Sequence, residues 1–104
     1  MVFTWSLEKN ELLKSDPTRN FKGFEDVVGA ILENRILDIL KNKNYPNQLI
    51  LVVDLEDYVY AVPISLDIER EEDGYTLFVN FKTLFPSRKL YKKYKRRIKN
   101  EGVR

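Results

Sequence analysis

Ten of the eighteen Lys and Arg residues fall within residues 82–104, a stretch whose one carboxylate is Glu101. That segment carries a formal +9 and the residues before it −7, so the net charge of +2 conceals a strongly dipolar chain. The densest part is residues 92–97, where Lys92, Lys93, Lys95, Arg96 and Arg97 surround Tyr94. A run of this kind usually forms a solvated helix face, but this one is denser than solubility requires. It suits a polyanion or an acidic partner, and by itself does not separate a nuclease from a binder. Cysteine is absent, which excludes disulfides and thiolate metal sites and points to a reducing compartment or to indifference to redox. The carboxylates Asp54, Glu56, Asp57 and those of residues 69–73 lack the spacing of any ligand loop, so neither a metal nor another cofactor is expected.

These groups have to be positioned by a small fold. A length of 104 residues with 43% apolar side chains predicts a single domain over residues 1–104. The longest apolar run, residues 49–53, is too short to cross a bilayer. No basic region followed by an apolar signal core opens the chain, so a cytoplasmic protein without membrane contact is expected. Residues 2–5 read as a strand, and Ser6 as the N-cap of a helix that stops near Asp16, ahead of Pro17. Phe24, Val27, Val28, Ile31 and Leu32 have the spacing of an amphipathic helix over 24–34, with Glu25 and Asp26 as structural acids in its first turn.

Residues 36–40 read as a strand or as an extension of that helix, and 42–47 as a turn around Pro46. A buried strand over 48–55 reverses at Glu56 and Asp57 into a second over 58–65, in which Pro63 implies an edge or a bulge. Residues 67–74 read as an acidic loop and 75–84 as the last strand, with Lys82 on the same side as Asn80. Pro86 or Ser87 then opens a terminal helix. Its stripe of Leu90, Tyr91, Tyr94 and Ile98 docks on the sheet and leaves Lys92, Lys93, Arg96 and Lys99 in water. The expected class is α+β: an antiparallel meander with two N-terminal helices and a basic C-terminal helix, the helices mainly on one sheet face and the other face open.

Several landmarks occur in the order found in a known family. Phe3-Thr4-Trp5 is followed by Glu8, Lys9 and Asn10, Phe24-Glu25-Asp26 opens the second helix, and residues 48–64 supply paired central strands. Phe85-Pro86-Ser87-Arg88-Lys89 then stands at a strand end before the last helix. On these residues the chain resembles the BrnT toxins of bacterial type II toxin–antitoxin pairs, related to the wider RelE-like ribonuclease fold. It departs from their pattern in having Lys92 and Lys93, not a Glu-Arg pair, before Tyr94, and a longer acidic connection over 67–73.

The resemblance implies an RNA-cleaving toxin paired with a cognate antitoxin, which would contact operator DNA only as that complex. With no histidine in the chain, the usual imidazole acid–base pair is excluded. A metal-free route would use Arg88 to stabilise the extra charge on a phosphorane-like transition state, Lys82 to orient the phosphate, and Tyr91 or a nearby carboxylate to move a proton. Lys89, Lys92, Lys93, Arg96 and Arg97 would bind the RNA backbone. One well-placed donor of this kind contributes about 3–4 kcal/mol, so two supply only part of a nuclease's acceleration. The alternative is a non-catalytic basic module for nucleic acid or an acidic protein partner, including a family member that has lost cleavage. In that reading Arg88 pairs with a carboxylate, and Tyr91 and Tyr94 are core residues with hydroxyls at the rim.

Overall fold

The computed structural model describes residues 1–102, with side chains through Ile98, so Lys99 and Glu101 lie outside the described side chains. Strand β1 (Val2–Thr4) leads into helix α1 (Leu7–Lys14), where the Ser6 hydroxyl accepts the Lys9 N–H at 3.1 Å and caps the first turn. Asp16 does the same for a short 3-10 turn (Pro17–Arg19), accepting the Thr18 N–H at 2.8 Å. Helix α2 (Phe24–Leu32) buries Phe24, Val27 and Ala30 along one stripe.

Gly23, the residue before α2, has no side chain with which to cap it. Asn10 of α1 acts in its place. Its Oδ1 accepts the Phe24 N–H at 2.8 Å, and its Nδ2 donates to both Glu25 carboxylate oxygens at 2.9 and 3.0 Å. Asp26 completes the turn by accepting the Gly23 N–H at 2.8 Å. Asn10 is only 3% exposed, so this is a polar joint built into the contact between two helices.

Strands β2 (Ile36–Lys41), β3 (Leu49–Leu55), β4 (Tyr58–Glu71) and β5 (Gly74–Phe81) form the expected antiparallel meander. Residues 36–40 are thus strand and not helix. A two-residue strand β6 (Phe85–Pro86) pairs with β4, and helix α3 (Arg88–Gly102) follows. β1 pairs parallel to β5, giving the order β1-β5-β4-β3-β2 and a mixed sheet where an antiparallel one is expected. The class is α+β.

Alternation along the strands separates two cores. The front face carries Leu51, Val53, Leu55, Tyr60, Val62, Val79 and Phe81, which pack against Leu13, Phe24, Val27 and Ala30 of α1 and α2. Trp5 and Phe3 stack on Phe81 there, with ring centres 5.9 and 5.6 Å apart. The back face carries Leu37, Val52 and Val59, which pack against Tyr94 and Ile98 of α3. Helices therefore cover both faces, whereas the sequence reading leaves one open. The hydrophobic stripe of α3 fixes which side of the helix is buried but not which face of the sheet receives it.

One further expectation is corrected, and one is met in the second of its two forms. Residues 67–74 are not a loop: β4 runs through Glu71, paired with β5 from Ile64↔Phe81 to Glu71↔Gly74, and Gly74 takes a φ of 143° after the turn. Pro63 is not at a sheet edge, since β4 is central, but it lies beside the bulge that the sequence reading allows: from Ile64↔Phe81 to Ala61↔Phe85 the β5–β6 side has one residue more than β4. The Pro63 carbonyl accepts the Lys82 N–H at 2.9 Å. The N–H and C=O of one strand residue point to the same side, so the donor that proline lacks would also face this irregular stretch between β5 and β6.

Candidate polyanion-binding surface

Helix α3 is the element that gathers the charge. Ser87 caps it by accepting the Leu90 N–H at 3.2 Å, while the Ser87 N–H donates to the Val59 carbonyl at 3.0 Å and ties the helix start to β4. Farther along, the Tyr94 hydroxyl donates to the Asp38 carboxylate, and the Arg97 guanidinium donates to the Leu37 carbonyl. A β-bulge between Ile36 and Asp38 makes the first contact geometrically available, because it brings Leu37 and Asp38 to the back face together. The Tyr94 hydroxyl, aided by the Ile39 N–H, holds Asp38 below the usual carboxylate range. Reciprocally, Asp38 and burial push Tyr94 above the ordinary phenol value.

With Leu90, Tyr91, Tyr94 and Ile98 turned to the sheet, the helical period sends the cations to two flanks and a crest. On one flank Arg88, Lys92 and Lys95 line a cleft of about 350 Å³ with Tyr58 and Tyr91. The two tyrosine rings are stacked, with centres 4.5 Å apart and planes 13° from parallel. Tyr60 meets Tyr58 edge-on at 6.1 Å and its hydroxyl accepts from Asn20 Nδ2 at 2.7 Å, so the aromatic wall is held from behind. On the other flank Lys89 and Lys93 face Lys41 and Lys43 of the β2–β3 hairpin across a cleft of about 620 Å³.

The residues singled out from the sequence thus fall into separate groups. Arg88, Tyr91 and Lys92 share the tyrosine cleft, and Lys89 and Lys93 share the lysine cleft. Arg96 is exposed, and Arg97, although exposed, is engaged by the Leu37 backbone. Lys82 is exposed but lines neither cleft. It bonds opposite Pro63 while Ser87 bonds opposite Val59, an offset of ~13 Å along β4 at strand spacing. Sequence reasoning missed Lys41 and Lys43, which are remote from α3 in the chain. The signal for them was the hairpin turn, which returns the chain beside the helix.

No carboxylate lines either cleft, and among the described residues no group of three or more His, Cys, Asp or Glu is arranged to hold a metal ion. No described helix is long and apolar enough to cross a membrane. Arg88 and Lys89 occupy the first turn of α3, which contains no acidic residue. That is the end of a helix where the backbone dipole favours anions and disfavours cations. Stability alone does not account for this placement, whereas a bound anion would be attracted by side chains and backbone together.

Compared with known proteins, the chain matches no family model, no curated protein and no solved structure.

Proposed function

We propose that this chain is the RNA-cleaving toxin of a toxin–antitoxin pair, with a RelE/BrnT-like fold, acting in the cytoplasm without a metal. The observation that carries this reading is the Arg88 cleft: three cations and a stacked tyrosine pair in one recess, with no carboxylate to repel phosphate. A base can extend the Tyr58–Tyr91 stack while its phosphate lies against Arg88, Lys92 and Lys95. Arg88 then stabilises the charge that develops as the ribose 2′-hydroxyl attacks, and the Tyr91 hydroxyl is the group at hand for proton movement. Lys82, standing apart, contacts a phosphate farther along the strand. The cognate antitoxin covers the basic back face, and operator DNA is bound by the complex of the two.

A second reading is favoured by the same cleft. It offers no imidazole and no carboxylate as a base, which suits a non-catalytic binder of nucleic acid or of an acidic protein. Incubation of purified protein with total RNA in EDTA separates the two. The toxin reading expects cleavage that falls about 10²–10³-fold in Arg88→Ala. Lys82→Ala should reduce it less and chiefly through substrate affinity. Intact RNA with the wild-type protein, under conditions where RNA is bound, refutes the enzyme and leaves the binder.

A further inference from the structure

We infer that the cleft between α3 and the β2–β3 hairpin is a nucleotide subsite for single-stranded RNA, extending the RNA reading above to a second site. Four ammonium groups bound it on two walls: Lys41 and Lys43 from the hairpin, Lys89 and Lys93 from the helix. Bringing four like charges around one cavity opposes folding, and no lining carboxylate offsets them. Asp38 is close enough to feel the charge of Lys93, but its carboxylate is engaged by Tyr94 and does not line the cleft.

The floor indicates what kind of anion fits. Leu40, Ile50, Ala61, Phe85 and Leu90 form an apolar base, and Phe85 remains 38% exposed. A free phosphate has no use for such a floor, whereas a nucleobase does, since aromatic and aliphatic side chains are the usual seats for unstacked bases. Asn44 stands at the rim with an amide able to meet a base edge. The volume of about 620 Å³ lies within the ordinary range for small-ligand sites. Cations on both walls match a chain carrying a phosphate on either side of the seated base. A strand bound here and at the Arg88 cleft would cross the crest of α3, on which Arg96 is exposed.

The test measures binding apart from cleavage. Fluorescence anisotropy of a short 2′-O-methyl oligoribonucleotide, which cannot be cut through its 2′-oxygen, is recorded over a salt series. The wild type is compared with Lys41→Ala/Lys43→Ala, Lys89→Ala/Lys93→Ala and Phe85→Ala, with circular dichroism checking the fold of each. Each lysine pair should lower the log–log salt slope by about 1.4, from about 0.7 per phosphate contact on single strands. Phe85→Ala should weaken binding about tenfold at every salt concentration and leave the slope unchanged.

An isotherm and slope for Lys41→Ala/Lys43→Ala that match the wild type overturn the inference. So does a glutamate-rich peptide that displaces the oligonucleotide at lower concentration with the same lysine dependence, because the cleft is then a protein-docking site. Cleavage of total RNA is scored in parallel. RNA cut without dependence on these lysines removes the subsite and keeps the nuclease. Lysine-dependent binding with RNA left intact removes the nuclease and keeps the subsite.

Discussion

Truncating Asn10 to alanine should destabilise the whole fold by about 1.5 kcal/mol, although Asn10 belongs to neither cleft. The Phe24 N–H that it caps is fully enclosed, with Phe24 0% exposed, so removing the acceptor leaves a buried donor unpaired at a cost of about 1–3 kcal/mol. Glu25 loses two bonds as well, but as an exposed carboxylate it recovers most of that from water. Against this, alanine in the interior of α1 is a better helix former than asparagine by about 0.6 kcal/mol. Lost stability of about 1.5 kcal/mol corresponds to a fall of about 6–12 °C in Tm, at about 4–8 °C per kcal/mol for a domain of this length.

The assay is urea unfolding followed by circular dichroism, with Asn10→Asp as the informative companion. Aspartate keeps the acceptor for Phe24 but sets a second carboxylate against Glu25. Asn10→Asp should therefore be at least as unstable as the alanine variant at neutral pH, and should regain stability as pH falls through the raised carboxylate range. A loss below about 0.5 kcal/mol for Asn10→Ala, the level of an ordinary surface substitution, would refute the argument. An Asn10→Asp stability that ignores pH would refute it equally.

The same joint makes Gly23→Ala destabilising. A Cβ at position 23 would lie 2.8 Å from Asn10 Oδ1, with Lys14 Cγ at 2.7 Å and Glu25 Oε1 at 2.9 Å. The backbone there is extended, with φ −121°, so the glycine is required by space and not by conformation. Its cost should shrink in the Asn10→Ala background, which a double-mutant cycle measures. Docking of α3 should weaken at both ends of the pH scale. The lowered Asp38 value contributes stability above the ordinary carboxylate pKa of 3.8 that is lost as pH falls through the folded value. The raised Tyr94 value contributes stability below 10.0 that is lost as pH climbs through its folded value. Tyr94→Phe should return Asp38 toward its ordinary range in an NMR titration and flatten both limbs; an unmoved Asp38 contradicts the assignment.

What the sequence disclosed and what it hid follow from the range of the interactions. The α2 helix was readable because Phe24, Val27, Val28 and Ile31 repeat with its period, and the β3–β4 hairpin because two apolar runs flank Glu56-Asp57. Sequence pattern alone ends β4 early, because acidic composition masks the alternation Leu66, Ile68, Arg70, all of which pair across to β5. The basic character of α3 was plain, but the division of its cations between two clefts depends on which sheet face it meets and what stands on either side. In the sequence Asn10 stands out only as part of a resemblance. Its work, capping a helix to which it does not belong, is a tertiary contact that local pattern does not encode.

The pairing of β1 with β5 bears on how the protein is made. Strand β1 is synthesised well before its partner residues, Phe78 to Asn80, and the Trp5 and Phe3 rings have no Phe81 to rest on until that strand appears. Loop closure over such a span is slow compared with local helix formation, so the front core is sealed only after β5 has been made. Trp5, the only tryptophan in the chain, therefore serves as an intrinsic fluorescent marker for that final closure.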